Sequence, residues 1–211
     1  MIDDLVRIVG TGHVFRESAE KARKVILEEK PLVVAVELDR TRYFKLMRRE
    51  YSEEESNKDV NKFSNPWTFL LSKAQEKLGN QFGMTPGGDM ISAIKAANEI
   101  NAEVALIDQN FQKTINYMSK APLREKLMIL REGIMILLSN GNIGQIDSES
   151  FDLNSLMNLF KHNYPFLFEK LVHERNKYMG NQILDKLNNI DHLKKPSIVA
   201  VVGMVLWMDG G

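Results

Sequence analysis

Leu5-Val6-Arg7-Ile8-Val9-Gly10-Thr11-Gly12-His13 and, one helix later, Leu32-Val33-Val34-Ala35-Val36-Glu37-Leu38-Asp39 decide the fold. Each is a short apolar run, mostly β-branched, that gives way to glycine or acid. A parallel strand covered on both faces needs such a run. Two more follow, so the sequence predicts strands over Leu5–Val9, Leu32–Glu37, Val104–Asp108 and Ile198–Val202. Helical patterns fill the gaps. The predicted class is α/β: a central, mainly parallel sheet with flanking helices and a helical insertion before the last strand.

Ser18 is placed to cap a helix from about Ala19 to Glu29, with Glu20 in its first turn. Lys30-Pro31 ends it, because the residue before proline disfavours the helical region. Strand, helix and strand then make a βαβ unit with a right-handed crossover. Thr85-Pro86 predicts the N-cap and first position of a helix with Met90, Ile94 and Ala97 on one face. Arg48–Lys62 is polar without an apolar period and reads as a surface loop or frayed helix end. Leu123, Leu127, Leu130, Ile134 and Leu137 keep helical spacing until Ser139-Asn140-Gly141-Asn142 breaks it. Further helices are predicted from Phe151 to about Lys161 and from Pro165 to about Asn188. We expect a single domain over 1–211, with the helical insertion at about 110–192.

The 211 residues carry Lys+Arg 28 against Asp+Glu 28, so no net charge favours a nucleic acid. Cys 0 removes disulfides, Cys-ligated zinc and thiol nucleophiles. No apolar run approaches the roughly 20 residues that span a bilayer. Asp3-Asp4 stand where a signal peptide carries basic residues. The expectation is a soluble, cytoplasmic chain without a nucleic-acid partner.

Ligands of open α/β sheets bind beyond the carboxyl ends of the strands. The first strand exits into Gly10-Thr11-Gly12-His13, the second into Glu37-Leu38-Asp39-Arg40 with Arg42 close by, and the third into Asp108-Gln109-Asn110. If the strands adjoin, one imidazole, three carboxylates and two guanidiniums converge. Buried carboxylates need a cation or a metal, and imidazole with carboxylate suits Mn²⁺, Fe²⁺ or Zn²⁺. The glycines beside Thr11 let backbone approach a ligand, and the same loop could cradle an anion. The plainer readings stand beside these. The turn lacks the third glycine of a dinucleotide fingerprint and the Lys-Ser/Thr ending of a P-loop. Glu37 and Asp108 serve equally as caps or as partners of Arg40 and Arg42. Further on, Val172, Arg175 and Met179 share one helical stripe, and Leu171, Glu174 and Tyr178 the next. Arg175 could reach the strand-end acids. Glu174 could act as ligand or base, or simply pair with Lys177. His162, His173 and His192 fall in no zinc-binding spacing.

Several motifs occur in order along nearly the whole chain. They are Ile8-Val9-Gly10-Thr11-Gly12-His13-Val14, Lys30-Pro31 through Val36-Glu37-Leu38-Asp39, Pro86-Gly87-Gly88-Asp89-Met90 with Ala93 and Ala96-Ala97, Leu106-Ile107-Asp108, Glu174-Arg175-Asn176-Lys177-Tyr178-Met179, and Val199–Gly203. In this series the chain resembles the TraB/PrgY family, which is related to the TIKI proteases and to the ChaN and erythromycin-esterase groups. The resemblance implies a metal-dependent, peptidase-like hydrolase and an association with peptide pheromone shutdown. It also implies a peptide partner and a divalent Mn, Zn or Fe cofactor. It places the family's first Gly-x-x-His on Gly10 to His13, its strand-end glutamate on Glu37 and its Glu-Arg pair on Glu174 and Arg175. His13 and Glu37 are thereby metal ligands, and Glu37, Glu174 and Arg175 catalytic groups. The strand-end reading adds Gly10, Gly12, Arg40, Arg42 and Asp108 as substrate-binding residues. The family's second Gly-x-x-His falls on Gly203-Met204-Val205-Leu206, where leucine replaces the histidine and cannot ligate. That departure keeps an alternative open, a non-catalytic regulator that binds a peptide or partner in the same crevice. Family members with a membrane-anchored C-terminal segment are known, so a full-length protein of this kind can be membrane-associated.

Overall fold

The computed structural model describes residues 4–11, 16–51, 87–138, 153–190 and 196–203. Among them, β1 (Val6–Thr11), β2 (Val33–Val36), β3 (Glu103–Leu106) and β4 (Ile198–Gly203) form one parallel sheet in the order β1-β4-β2-β3. All four predicted strands are present, with ends within two residues of the expected ones. The α/β class is as the apolar runs require.

Two helical layers cover the sheet. Val34, Val36, Val199 and Val201 turn to one face and pack against Ala22 and Ile26 of α1 (Arg16–Glu29) and Met90 and Ile94 of α3 (Gly88–Glu99). Alternate residues Val33, Ala35, Ile198, Ala200 and Val202 turn to the other face. There they meet Phe168 of α7 (Pro165–Phe168), Val172 of a π-helical turn (Glu169–His173) and Met179 and Leu187 of α8 (Glu174–Asn188). All six β4 residues are buried. A strand that apolar on both sides belongs in the middle, which is why the last strand in sequence lies between the first two. The βαβ unit read from the sequence therefore does not pair its own strands; β1 and β2 each pair with β4.

Helix ends follow local chemistry. Helix α1 starts at Arg16, so Ser18 sits inside the first turn rather than at the cap. Glu17 there complements the helix dipole. The helix stops where predicted: Lys30 takes a left-handed φ of 46° and Pro31 follows. Helix α2 (Arg40–Tyr51) runs into the polar stretch expected to be loop, whose remaining residues 52–62 lie outside the described residues. Thr85-Pro86 also lies outside them. Helix α3 opens at Gly88 behind Gly87, whose φ of 90° and close approach to Leu46 exclude a side chain.

The insertion between β3 and β4 is helical, as expected: α4 (Phe111–Lys120), α5 (Leu123–Leu138), α6 (Leu153–Asn163), then α7, the π turn and α8. The Ser139–Asn142 break lies outside the described residues. The long helix expected from Pro165 is continuous in path but contains the π turn, where the Glu174 N–H reaches back to Glu169 O. The buried Glu125 of α5 accepts the backbone N–H groups of Phe166 (3.0 Å) and Leu167 (3.1 Å), and so caps α7 with a carboxylate. Ile26 is fully enclosed between α1 and the sheet. Ile26→Ala is expected to cost about 2–5 kcal/mol, read as a lower urea midpoint with an unchanged slope.

Candidate functional site

The register brings the carboxyl ends of the strands to one level: Thr11 lies beside Gly203, and Val36 beside both Val201 and Leu106. The residues that leave β2 and β3 therefore emerge together. Glu37, Asp39 and Asp108 are all buried. Three carboxylates there would repel one another without cations, and two guanidiniums supply them.

Arg175 comes from the start of α8, in the turn after the π segment. It shares the helical stripe of Val172 and Met179, which are buried against the sheet. Its Nε donates to Asp108 Oδ1 (2.8 Å), and its Nη2 donates to Glu37 Oε1 (2.5 Å) and to Asp108 Oδ2. Arg42, on α2, donates from Nε to Asp39 Oδ2 (2.7 Å) and from Nη2 to Asp108 Oδ2. The other Asp39 oxygen accepts the N–H groups of Thr41 (2.7 Å) and Arg42 (3.2 Å), so Asp39 caps α2 while it aims Arg42. Glu37 Oε2 accepts the Gly203 N–H (2.6 Å) at the end of β4.

Burial alone would push the Asp108 carboxyl up; the hydrogen bonds and charges of Arg175 and Arg42 outweigh it and hold the group below its usual range. Burial likewise works against the Arg175 charge, but Asp108 and Glu37 more than offset it and raise that guanidinium further. Both are ion-paired at neutral pH.

The structure thus brings together Glu37, Arg42, Asp108 and Arg175 from three separate stretches of chain. Arg40 is exposed in the first turn of α2, outside this network. Gly10 lies within β1, paired with Val202. Gly12, His13 and Leu206 lie outside the described residues. Glu174 turns away from its neighbour: it pairs with Lys170 on its own helix and accepts from the Tyr117 hydroxyl at 3.5 Å. The intrahelical pairing expected with Lys177 is made with Lys170 instead.

A divalent ion is the test of the expected metal chemistry. Among the described residues no group of three or more His, Asp or Glu side chains is arranged to hold one. Glu37 and Asp108 already direct both oxygens at N–H donors. A dication there would have to displace a guanidinium, so the described carboxylates do not fit a resident metal. A buried contact that the sequence reading missed lies beside them: the Thr11 hydroxyl donates to Asp89 Oδ2 at 2.6 Å, both residues being fully buried. Its one signal was an acid between Gly88 and Met90, where an apolar helix begins.

Because the folded Asp108 pKa is lowered, its stabilisation is complete above the ordinary carboxylate range and is lost as pH falls through the folded value. Asp108→Asn is expected to cost about 3–5 kcal/mol near pH 7, since Arg175 is left buried against one acid. The cost should shrink towards pH 3 (about one unit below the usual carboxylate value). Urea unfolding across that range checks both.

The comparisons agree with the motif series. The family model described as TraB/PrgY/gumN matches residues 3–206. A relative from Methanocaldococcus jannaschii, "Uncharacterized protein MJ1365", is 30% identical over 213 residues. That similarity covers 94% of this chain and 50% of the relative, so the chain spans about half the length of the curated protein it matches. With a family match from one end of the sheet to the other, and the motif residues Glu37, Asp108 and Arg175 joined at its rim, the chain belongs to the TraB/PrgY/gumN family.

Proposed function

We propose that this chain is a hydrolase of peptide bonds, with its reaction site at the rim formed by Glu37, Arg42, Asp108 and Arg175. The observation that carries the reading is the burial of Arg175 between Glu37 and Asp108. A buried ion cluster stabilises a fold weakly compared with apolar packing of the same volume. Clusters of this kind, at the carboxyl ends of parallel strands, are the usual place for chemistry.

Each residue has a task in this reading. Glu37 is held in place by Arg175 and by the β4 backbone, and so meets a water at a fixed position. It takes the proton as that water attacks the carbonyl carbon, then passes it to the amide nitrogen as the C–N bond breaks, which releases acid and amine and restores the carboxylate. The bonds described use Nε and Nη2 of both guanidiniums, which leaves each Nη1 to meet oxygen charge developing on the substrate. Asp108 keeps the two guanidiniums in place. A divalent ion, as the metal-dependent relatives would have, needs ligands beyond the described residues. No step above is assigned to one. The resemblance to pheromone-shutdown proteins makes a short secreted peptide the substrate to try first.

The internal pairing of every rim carboxylate also supports a second reading, the regulator that binds a peptide in this crevice without cleaving it. Leu206 in place of histidine points the same way. A labelled peptide library, followed by mass spectrometry and by binding, separates the two. Cleavage that falls about 10²–10⁴-fold in Glu37→Gln, and at least as far in Arg175→Met, with circular dichroism unchanged, is the expected result. Saturable binding without products would move the assignment to the regulator. Neither cleavage nor binding would end both. Activity lost on chelation and restored by one added metal would return a cofactor to the site.

A further inference from the structure

Helix α5 is turned with its acids inward and its leucines outward. Leu123, Leu127 and Leu130 are 71%, 56% and 46% exposed. Arg124 and Arg131 are the charged residues exposed beside them. Glu125, at 3% exposure, points the other way and holds the α7 backbone. Glu132 also faces inward: burial, and then this carboxylate, push the Tyr164 phenol well above its ordinary value. Met128 and Ile129 pack on the same inner side, against the cluster of Ala121, Tyr164 and Leu167. Lys126 is tied to Ser119 O at 2.6 Å.

This orientation is enforced. Rotating α5 to bury the leucines would strip Glu125 from two backbone N–H groups and leave a buried helix end uncapped. Packing among the described residues gains nothing from three outward leucines. Their spacing is four then three, and in the sequence Ile134 and Leu137 continue it. That is the narrow a/d seam of a helix that packs along another helix. A lipid surface calls for a broader apolar face. Arg124 and Arg131 lie seven residues apart along one edge of the seam, so an antiparallel second copy would set them against each other.

We propose that the outer face of α5 docks an amphipathic helix of another polypeptide, one with an apolar seam and acidic flanks. Its leucines insert between Leu123, Leu127 and Leu130, and its carboxylates pair with Arg124 and Arg131. The face is independent of the rim site.

The probe is a three-heptad synthetic helix with leucine at a and d and glutamate at e and g, fluorescein-labelled and titrated with the whole chain. Saturable anisotropy is expected. The pair Leu127→Gln and Leu130→Gln should weaken it more than about tenfold (at least 1.4 kcal/mol) without lowering the melting temperature. Arg124→Glu with Arg131→Glu should weaken it similarly and gain affinity for the matching peptide with lysine at e and g. Absence of saturable binding, or binding indifferent to the leucine changes, overturns the proposal. So does leucine dependence without charge reversal, which removes the acidic partner. Light scattering that finds a dimer abolished by the leucine changes assigns the face to a second copy instead. Tighter retention by phosphatidylglycerol vesicles than by the peptide assigns it to a membrane.

Discussion

The pairing of Arg175 with Glu37 and Asp108 is the constraint on which the rest of this structure turns. It joins α8 to the ends of β2 and β3, and Glu37 extends it to β4 through the Gly203 N–H. None of these four segments is close to another in sequence apart from the β2 exit and its own strand. Removing Asp108 would leave each arginine with one acid, and removing Arg175 would leave Glu37 buried without its cation. The rim is therefore a single unit. Its three acids and two arginines hold one another in register, with donors and acceptors fixed in direction.

Acids do the positioning elsewhere as well. Asp39 caps α2 and in the same gesture orients Arg42. Glu125 caps α7 from a neighbouring helix and thereby sets the rotation of α5. Asp89, in the first turn of α3, receives the Thr11 hydroxyl at the end of β1. In each case a carboxylate lies where backbone N–H groups or a helix dipole offset its burial. The result is a sheet rim held together by buried carboxylates. Helical spacing separates the two charges at the start of α8: Arg175 reaches the rim, while Glu174 stays with Lys170 and Tyr117.

Membership of the TraB/PrgY/gumN family gives this rim a context without giving it a reaction. The M. jannaschii relative is about twice as long, so the chain corresponds to one half of such a protein. The donors in that half are guanidinium and carboxylate.

The strands were legible because a parallel strand buried on both faces must be apolar at consecutive positions, and few other elements are. The stop at Lys30-Pro31 and the buried face of α3 were legible for similarly local reasons. Glu37, Arg42, Asp108 and Arg175 could be nominated by their places at strand ends or on an apolar stripe. Their meeting could be stated only conditionally, because it needs β2 and β3 to adjoin and α8 to pack at their ends, which no local pattern fixes. Glu174 and Arg175 are adjacent letters with opposite fates: helical spacing puts them on different stripes, and packing alone decided which stripe met the rim. The leucines of α5 obey helical spacing, which states their period and not their direction. Local sequence carries periodicity and capping, whereas the partner of a charge and the side a helix shows to solvent are settled only when distant segments compete for the same buried space.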